Sequence, residues 1–288
     1  MINRKTLVQI GLPLPATLFL AVFLVIPALF LLSYSVGTQT AGTVGFPLTL
    51  GNFARLLGSP TYRGIFFQTL EISLWTTLAS AILAYPLALT VARGNAFFSR
   101  LTLILVVAPM VMSVVVRTYG WQLLLANGPQ GVVNYALTIL HAPMLPRLLY
   151  TKWAVVIAST HVFLPLIVLP LSASLARIPA SLVEAARMLG ASDQRAFLSV
   201  TLPLSMPGLV TGCMIVFTLT SASYVTPQMI GGATGAMLGV LLEQQINTVY
   251  AWPMGAAIAV IMVALTLAAH GATGRLMARS GVVRANKG

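Results

Sequence analysis

Acidic residues are almost absent from this chain of 288 residues, which holds four Asp and Glu in total. Charged residues of either sign make up 7% of the sequence, whereas soluble domains carry about a quarter. Hydrophobic residues make up 58%. This composition cannot cover a water-soluble globule, so it excludes secreted, cytosolic and disordered proteins and indicates an integral membrane protein.

Motifs of several enzyme classes are missing as well. None of the lysines follows a glycine, which excludes the Gly-Lys-Ser/Thr phosphate loop, and no Gly-x-Ser-x-Gly elbow occurs. The three histidines lie in different segments without His-Glu-x-x-His, so we expect no metal site. The single cysteine, Cys213, cannot form an intrachain disulfide. We therefore expect no catalytic residues, although an intramembrane hydrolase with dispersed residues stays open.

Long apolar segments are what the sequence does contain. About 20 apolar residues in a helix cross a hydrocarbon core roughly 30 Å thick. The segments of that length run over residues 8–35, 65–92, 101–124, 152–175, 203–226 and 251–274. The first apolar run is longer than that of a cleaved signal, so we interpret it as a permanent anchor. The prediction is an all-α membrane protein with about six transmembrane helices.

The net charge of +12 determines the predicted orientation. Eleven of the sixteen Lys and Arg residues lie on the side of the two termini when the chain crosses six times. The positive-inside rule then places both termini in the cytoplasm and explains the basic balance without nucleic acid.

One cytoplasmic loop, between the fourth and fifth spans, has the pattern of a structured segment. Ser181 and Glu184 have the spacing of a capping box, and Gly190 suits the left-handed residue that ends a helix. The sequence therefore predicts a helix over 181–189. The apolar stripe on it comprises Leu182, Ala185, Ala186 and Leu189. This stripe either lies back on its own transmembrane bundle or enters the groove of a partner protein.

Resemblance to a known family favours the partner. Glu184-Ala185-Ala186, three residues, Gly190, nine residues, and then Val200-Thr201-Leu202-Pro203 resembles the EAA signature of ABC-importer permeases, with Val200 in place of isoleucine. The resemblance implies a type I ABC importer transmembrane domain over residues 1–288, with a coupling segment at about 177–203. It also implies that Glu184, Ala185, Ala186, Leu189 and Gly190 couple the chain to an ATPase.

The same resemblance implies partners and cofactors. These are a second homologous permease, two ATPase subunits that bind ATP and Mg, and a periplasmic solute-binding protein, all at the bacterial inner membrane. No cofactor is expected on this chain itself.

Three further stretches look like those of spermidine/putrescine-type permeases, namely 116–121, 224–227 and 252–257. The candidate residues of a substrate path are Arg117, Tyr119, Trp121, Tyr224, Thr226 and Glu243. The first three also suit a headgroup anchor, and Glu243 also suits a solvated loop.

Two positions bear on the charge of the cargo. Glu71 lies early in the second span, where solvation or pairing with Arg63 would account for it. Ser223 stands before Tyr224 where polyamine permeases often have an acid, so either the second permease supplies that charge or the cargo is not a polyamine. The alternatives to a permease are the intramembrane enzyme and an ATP-independent channel or carrier.

Overall fold

The computed structural model describes residues 13–40, 43–144 and 147–279. Residues 8–12 of the predicted first span lie outside this part of the chain, as do Arg4, Lys5, Arg284 and Lys287 of the charge argument. The helices of the first half are α1 (Leu14–Val36), α2 (Gly51–Gly58), α3 (Pro60–Arg93), α4 (Ala96–Val111), α5 (Val114–Leu124) and α6 (Val132–Ile139). An antiparallel strand pair, β1 (Thr38–Thr40) and β2 (Thr43–Gly45), follows α1.

The second half continues with further helices. They are α7 (Lys152–Phe163), α8 (Pro165–Ala176), α9 (Ala180–Met188), α10 (Asp193–Ala196), α11 (Leu202–Ala222), α12 (Val225–Ile230), α13 (Leu238–Asn247) and α14 (Trp252–Arg279). A π-helical turn over Phe197–Thr201 joins α10 to α11, and a 3₁₀ turn spans Ala233–Gly235.

Six spans are present among the described residues when each bent helix pair counts as one crossing. Four helical stretches cross unbroken, namely Leu14–Val36, Pro60–Arg93, Asp193–Ala222 and Trp252–Arg275. The pairs α4–α5 and α7–α8 supply the other two, bent by 106° and 46° respectively. The prediction of about six spans agrees with the four to six candidate spans, but neither the third nor the fourth is the single helix that its apolar run indicated.

A proline lies close to each break. Pro109 lies in the last turn of α4, and the helix ends at Val111 with Met112 in extended backbone. Pro165 is the first residue of α8, directly after the bend at Leu164. Proline has no N–H for the carbonyl four residues earlier, and for Pro165 that carbonyl lies in the last turn of α7, where this bend forms. Pro27 and Pro86 sit within α1 and α3, which continue through them.

The chain divides into two compact units. One comprises the described residues up to Arg63 together with Leu241–Val263. Within it, α1 exposes most of its large apolar side chains, as expected of a span that faces lipid. Asn52 caps the end of α1 by donating its side-chain amide to the carbonyls of Ser35 and Gly37, at 3.1 and 3.2 Å.

The other unit comprises Gly64–Val240 and the described residues from Ala264 onward. Its packing depends on small residues where α11 lies along α8. Gly208 and Gly212 form a Gly-x-x-x-Gly pair, and a Cβ on Gly212 would stand 2.7 Å from the Cα of Ile167. Small residues at this spacing let two membrane helices approach closely.

A line of hydroxyl side chains runs down the buried side of α3 in this unit. Thr69, Ser73, Thr76 and Ser80 are all fully buried. Thr69 accepts a hydrogen bond from the backbone N–H of Leu238 at 2.9 Å, and Ser221 donates to Ser73 at 3.0 Å. The hydroxyls of Thr76 and Ser80 have no hydrogen-bond partner among the residues that the structure describes. Hydrogen bonds at Thr69 and Ser73 thus hold this part of α3 to its neighbours, while the part nearer the end of the helix packs through Ala84 and Ala88.

Candidate functional site

The predicted coupling segment contains a short helix that begins one residue earlier than the capping pattern indicated. Pro179 is the N-cap of α9, in extended backbone, and no side chain caps the helix. Ser181 is therefore already inside the first turn, where its hydroxyl cannot act as the N-cap acceptor. The predicted Ser181–Glu184 capping box is wrong, because the fixed φ of Pro179 sets the helix start.

The predicted end of this helix is confirmed. Gly190 has φ +85°, in the left-handed region that favours glycine. Its N–H donates to the carbonyl of Arg187 at 2.9 Å, and the N–H of Ala191 donates to the carbonyl of Ala186 at 3.0 Å. These two bonds form a Schellman motif, which satisfies carbonyls that the helix end would leave unpaired.

The helix α9 presents its apolar side chains outward. It buries none of its residues. The side chains of Met188 and Leu189 are 90% and 89% exposed, and Leu182 is 45% exposed. Large apolar side chains at a helix end, outside the spans, are costly in water unless a partner covers them. This exposure excludes the hypothesis that the stripe lies back against its own bundle.

The turn after α9 is held by polar contacts. Arg187 Nε pairs with Asp193 Oδ1 at 2.9 Å, and Ser192 caps α10 by accepting from the N–H of Arg195. The second half of the EAA-like motif then enters the π-helical turn that opens onto α11. Pro203 has no N–H to give to the carbonyl four residues earlier, so the chain uses the wider π register there.

Arg117 sits at the sharpest bend of the chain. Its side chain is buried, and Nη1 donates to the carbonyl of Pro109 at 2.5 Å. That carbonyl belongs to the last turn of α4, where the helix dipole favours a positive charge. Arg117 Nε has no hydrogen-bond partner. Arg117 therefore joins α5 to the end of α4 across the 106° bend.

The other candidate path residues of this unit divide into buried and exposed. Thr226 is buried, and its hydroxyl lies 3.3 Å from that of Thr118, where α12 packs against α5. Trp121 donates its indole N–H to Nδ1 of His161 at 3.3 Å. Tyr119 and Tyr224 are about half exposed, on α5 and immediately before α12. The structure thus brings Thr226 next to the segment that holds Arg117 and Trp121.

Glu243 belongs to the other unit, on α13. Its carboxylate accepts a hydrogen bond from the side-chain amide of Asn247, one turn further along, at 3.4 Å. It is half-buried, which agrees with neither a fully solvated loop residue nor a core residue.

Sequence reasoning missed an ion pair at the end of the bundle opposite to α9. Lys152 Nζ lies 2.6 Å from Glu71 Oε1, so the expected partner of Glu71, Arg63, is not the one it has. The correction has a simple cause: α3 and α7 pack side by side, and Lys152 begins α7 level with Glu71. The available signal was that Lys152 is the one lysine between the terminal pair Lys5 and Lys287.

Over the ranges 13–40, 43–144 and 147–279, no three His, Cys, Asp or Glu side chains come together in a group that could hold a metal ion.

Comparison with known proteins places these features in one family. The family model of the binding-protein-dependent transport system inner membrane component matches residues 79–280. The spermidine/putrescine transport system permease protein PotB of Salmonella typhimurium (strain SL1344) is 32% identical over 246 residues, covering 85% of this chain and 85% of that protein. PotB of Escherichia coli (strain K12) is 31% identical over 264 residues, covering 90% and 95%.

A solved structure supports the fold. A bacterial ABC transporter involved in the import of the acidic polysaccharide alginate contains a chain that superposes with a TM-score of 0.70 at 16% identity. The superposition covers 94% of this chain and 96% of that one. At this identity the likeness concerns the fold alone, which is the transmembrane fold of type I importers.

Proposed function

This chain belongs to the family of binding-protein-dependent transport system inner membrane components and is a permease subunit of an ABC importer. From that premise we propose that it imports a solute carrying primary amines, of the polyamine class. Membership decides against the intramembrane enzyme and the ATP-independent channel or carrier. The chain is a multi-pass protein of the bacterial inner membrane.

The outward-facing helix α9 is the observation that carries the proposed coupling. Met188 and Leu189 are the large apolar side chains at its end, and they are exposed by 90% and 89%. They enter a groove of the ATPase subunit, together with Ala185 and Ala186, whose small side chains permit close approach. Glu184 and Gly190 complete the segment, Glu184 as an exposed acid and Gly190 as the end of the helix. ATP and Mg²⁺ bind to the ATPase, and this chain binds no cofactor.

The assembly follows from the coupling segment, about 177–203. One such permease domain, formed by residues 1–288, pairs with a second homologous permease, and each docks one of two ATPase subunits. A periplasmic binding protein delivers the solute to the opposite face. This arrangement places α9 and both termini in the cytoplasm, in agreement with the positive-inside rule.

Mechanical transmission depends on the helices that α9 connects. It follows α8 directly and leads through α10 and the π-helical turn into α11, while α8 and α11 pack closely through Gly208 and Gly212. Close-packed helices move between discrete arrangements and do not deform smoothly. A displacement of α9 by the ATPase therefore moves α8 and α11 as one body and switches access to the solute path.

The cargo class rests on the relatives, which are spermidine/putrescine permeases. Ser223 offers no carboxylate before Tyr224, so the second permease supplies acidic contacts along the inner part of the path. Thr226, Trp121 and Tyr119 are the contacts that the unit containing Gly64–Val240 contributes.

The test is uptake of radiolabelled putrescine and spermidine by the complete importer in proteoliposomes, with and without ATP. Leu189→Glu should abolish uptake and co-purification of the ATPase, because a carboxylate cannot enter an apolar groove. Leu50→Glu is the matched control for co-purification, since Leu50 is 69% exposed in a loop that follows the strand pair. Full uptake by the Leu189→Glu importer would exclude the coupling role, and ATP-driven uptake restricted to solutes without amines would exclude the cargo class.

A further inference from the structure

A cavity of about 540 Å³ lies at the start of α3 and α7, outside the path residues described above. Its walls include Phe67, Gln68, Glu71, Lys152 and Trp153. Gln68 donates its side-chain amide to the carbonyl of Thr234, which joins α3 to the 3₁₀ turn on the far wall. The cavity is thus an open cleft lined by three separate parts of the chain.

Inside this cavity the chain binds its own ammonium group. Lys152 Nζ lies 2.6 Å from Glu71 Oε1 and 5.7 Å from the ring centroid of Trp153. Trp75 packs against Trp153 with ring centroids 5.8 Å apart, so the aromatic wall is held in place. A carboxylate and an aromatic face at these distances form a receptor for an alkylammonium ion, through a charge-assisted hydrogen bond and a cation–π contact.

The ion pair can exchange because it is partly open to solvent. The side chains of Lys152 and Glu71 are 34% and 42% exposed. Pairs with such exposure contribute little net stability, so they open readily. The ammonium of lysine is a point charge on a flexible four-carbon stem, and a second alkylammonium can replace it without leaving Glu71 unpaired.

We propose that Glu71 and Trp153 form an entry site for a primary alkylammonium group of the solute, and that Lys152 occupies this site until the solute displaces it. The inference rests on the proposed function for its cargo class and for the periplasmic position of the cavity. The positional argument is direct: α7 begins at the cavity and continues through α8 to α9, so the cavity and the coupling helix lie at opposite ends of this unit. The solute reaches this end first, and Lys152 prevents the site from holding other cations in its absence.

The experiment measures putrescine binding to the full chain in lipid nanodiscs by tryptophan fluorescence, with Trp121→Phe in every variant so that Trp75 and Trp153 at the site report and the path residue does not. Butanediol, which has hydroxyls in place of the amines, is the ligand control. Wild-type protein should respond to putrescine and not to butanediol. Lys152→Met should bind putrescine about two- to fivefold more tightly, because the weakly held internal competitor is removed.

Glu71→Gln should lose the response, and the double variant Glu71→Gln/Lys152→Met should lose it too. The double variant carries no unpaired charge, so it keeps the test valid if Glu71→Gln alone inserts poorly. Arg93→Gln is the matched control: it removes a charge at the last residue of α3, at the other end of this helix from Glu71, and should leave the response unchanged. Unaltered affinity in Lys152→Met, or a full response in the double variant, overturns the proposal and leaves the pair a structural contact.

Uptake by the complete importer separates this inference from the proposed function. If putrescine binds as described while the wild-type importer carries no polyamine, the cargo assignment fails and the ammonium site stands. If the importer carries polyamines with ATP while both single variants bind and transport like wild type, the site fails and the function stands.

Discussion

Substitution of Gly190 probes how the end of the coupling helix α9 depends on backbone conformation alone. Gly190 has φ +85°, and a Cβ built on it meets nothing within 4 Å. A side chain there would therefore cost only the strain of the left-handed backbone, with no steric clash against neighbours. That strain amounts to about 1–2 kcal/mol for an L-residue, is smaller for asparagine and is greatest for β-branched residues.

We expect a graded series in which Gly190→Asn is close to wild type, Gly190→Ala is intermediate and Gly190→Val is most impaired. A cost of 1–2 kcal/mol lowers the ratio of capped to uncapped helix end by about 5- to 30-fold. Hydrogen exchange at the backbone amides of Gly190 and Ala191, which donate the two closing bonds, measures this ratio directly. ATP-driven uptake by the complete importer should fall in the same order.

The grading supplies its own control, because all three variants add a side chain at the same open position. Equal exchange rates in the asparagine and valine variants would mean that side-chain bulk, and not backbone strain, governs the helix end. Wild-type protection in Gly190→Val would refute the conformational argument altogether. Loss of uptake with wild-type protection of the backbone amides would show that the ATPase contacts Gly190 directly and has no room for a side chain there.

Two further predictions concern packing inside the membrane. Gly212→Ala should destabilise the chain by about 1–3 kcal/mol in thermal unfolding, because its Cβ would stand 2.7 Å from the Cα of Ile167. The control is Gly271→Ala, which has open space around it and should leave the stability unchanged. Thr76→Val should stabilise the chain by about 1 kcal/mol, because it removes a buried hydroxyl without a partner, whereas Ser73→Ala breaks a bond to α11 and should destabilise. If Thr76→Val and Ser73→Ala changed the stability in thermal unfolding in the same direction, the assignment of hydrogen bonds along α3 would be contradicted.

Sequence patterns were sufficient where one property of the local chain decides the outcome. Apolar length located the six spans, because a helix must contain enough apolar residues to cross the hydrocarbon core. Gly190 was recognised as a helix end because few other residues adopt its backbone conformation. The start of the same helix was misjudged, since Pro179 and Ser181 both offer local reasons to begin a helix and the chain uses the proline.

Tertiary structure decided every feature that joins separate segments. Arg117 suited a headgroup anchor by position, but the bend after Pro109 turns α5 so that its guanidinium reaches the carbonyl of that proline. No spacing in the sequence encodes a bend of 106°. Whether the apolar stripe of α9 faced its own bundle or a partner was equally open until the exposure of Met188 and Leu189 was known.

The sequence alone determined that the chain spans a membrane, where its long apolar segments lie and where the helix α9 ends, because these depend on composition and on residues close together along the chain. Only the tertiary structure determined that Lys152 pairs with Glu71, that α8 and α11 meet at two glycines, and that α9 projects outward. Those contacts join residues that are distant in sequence, and they exist only once the helices have packed.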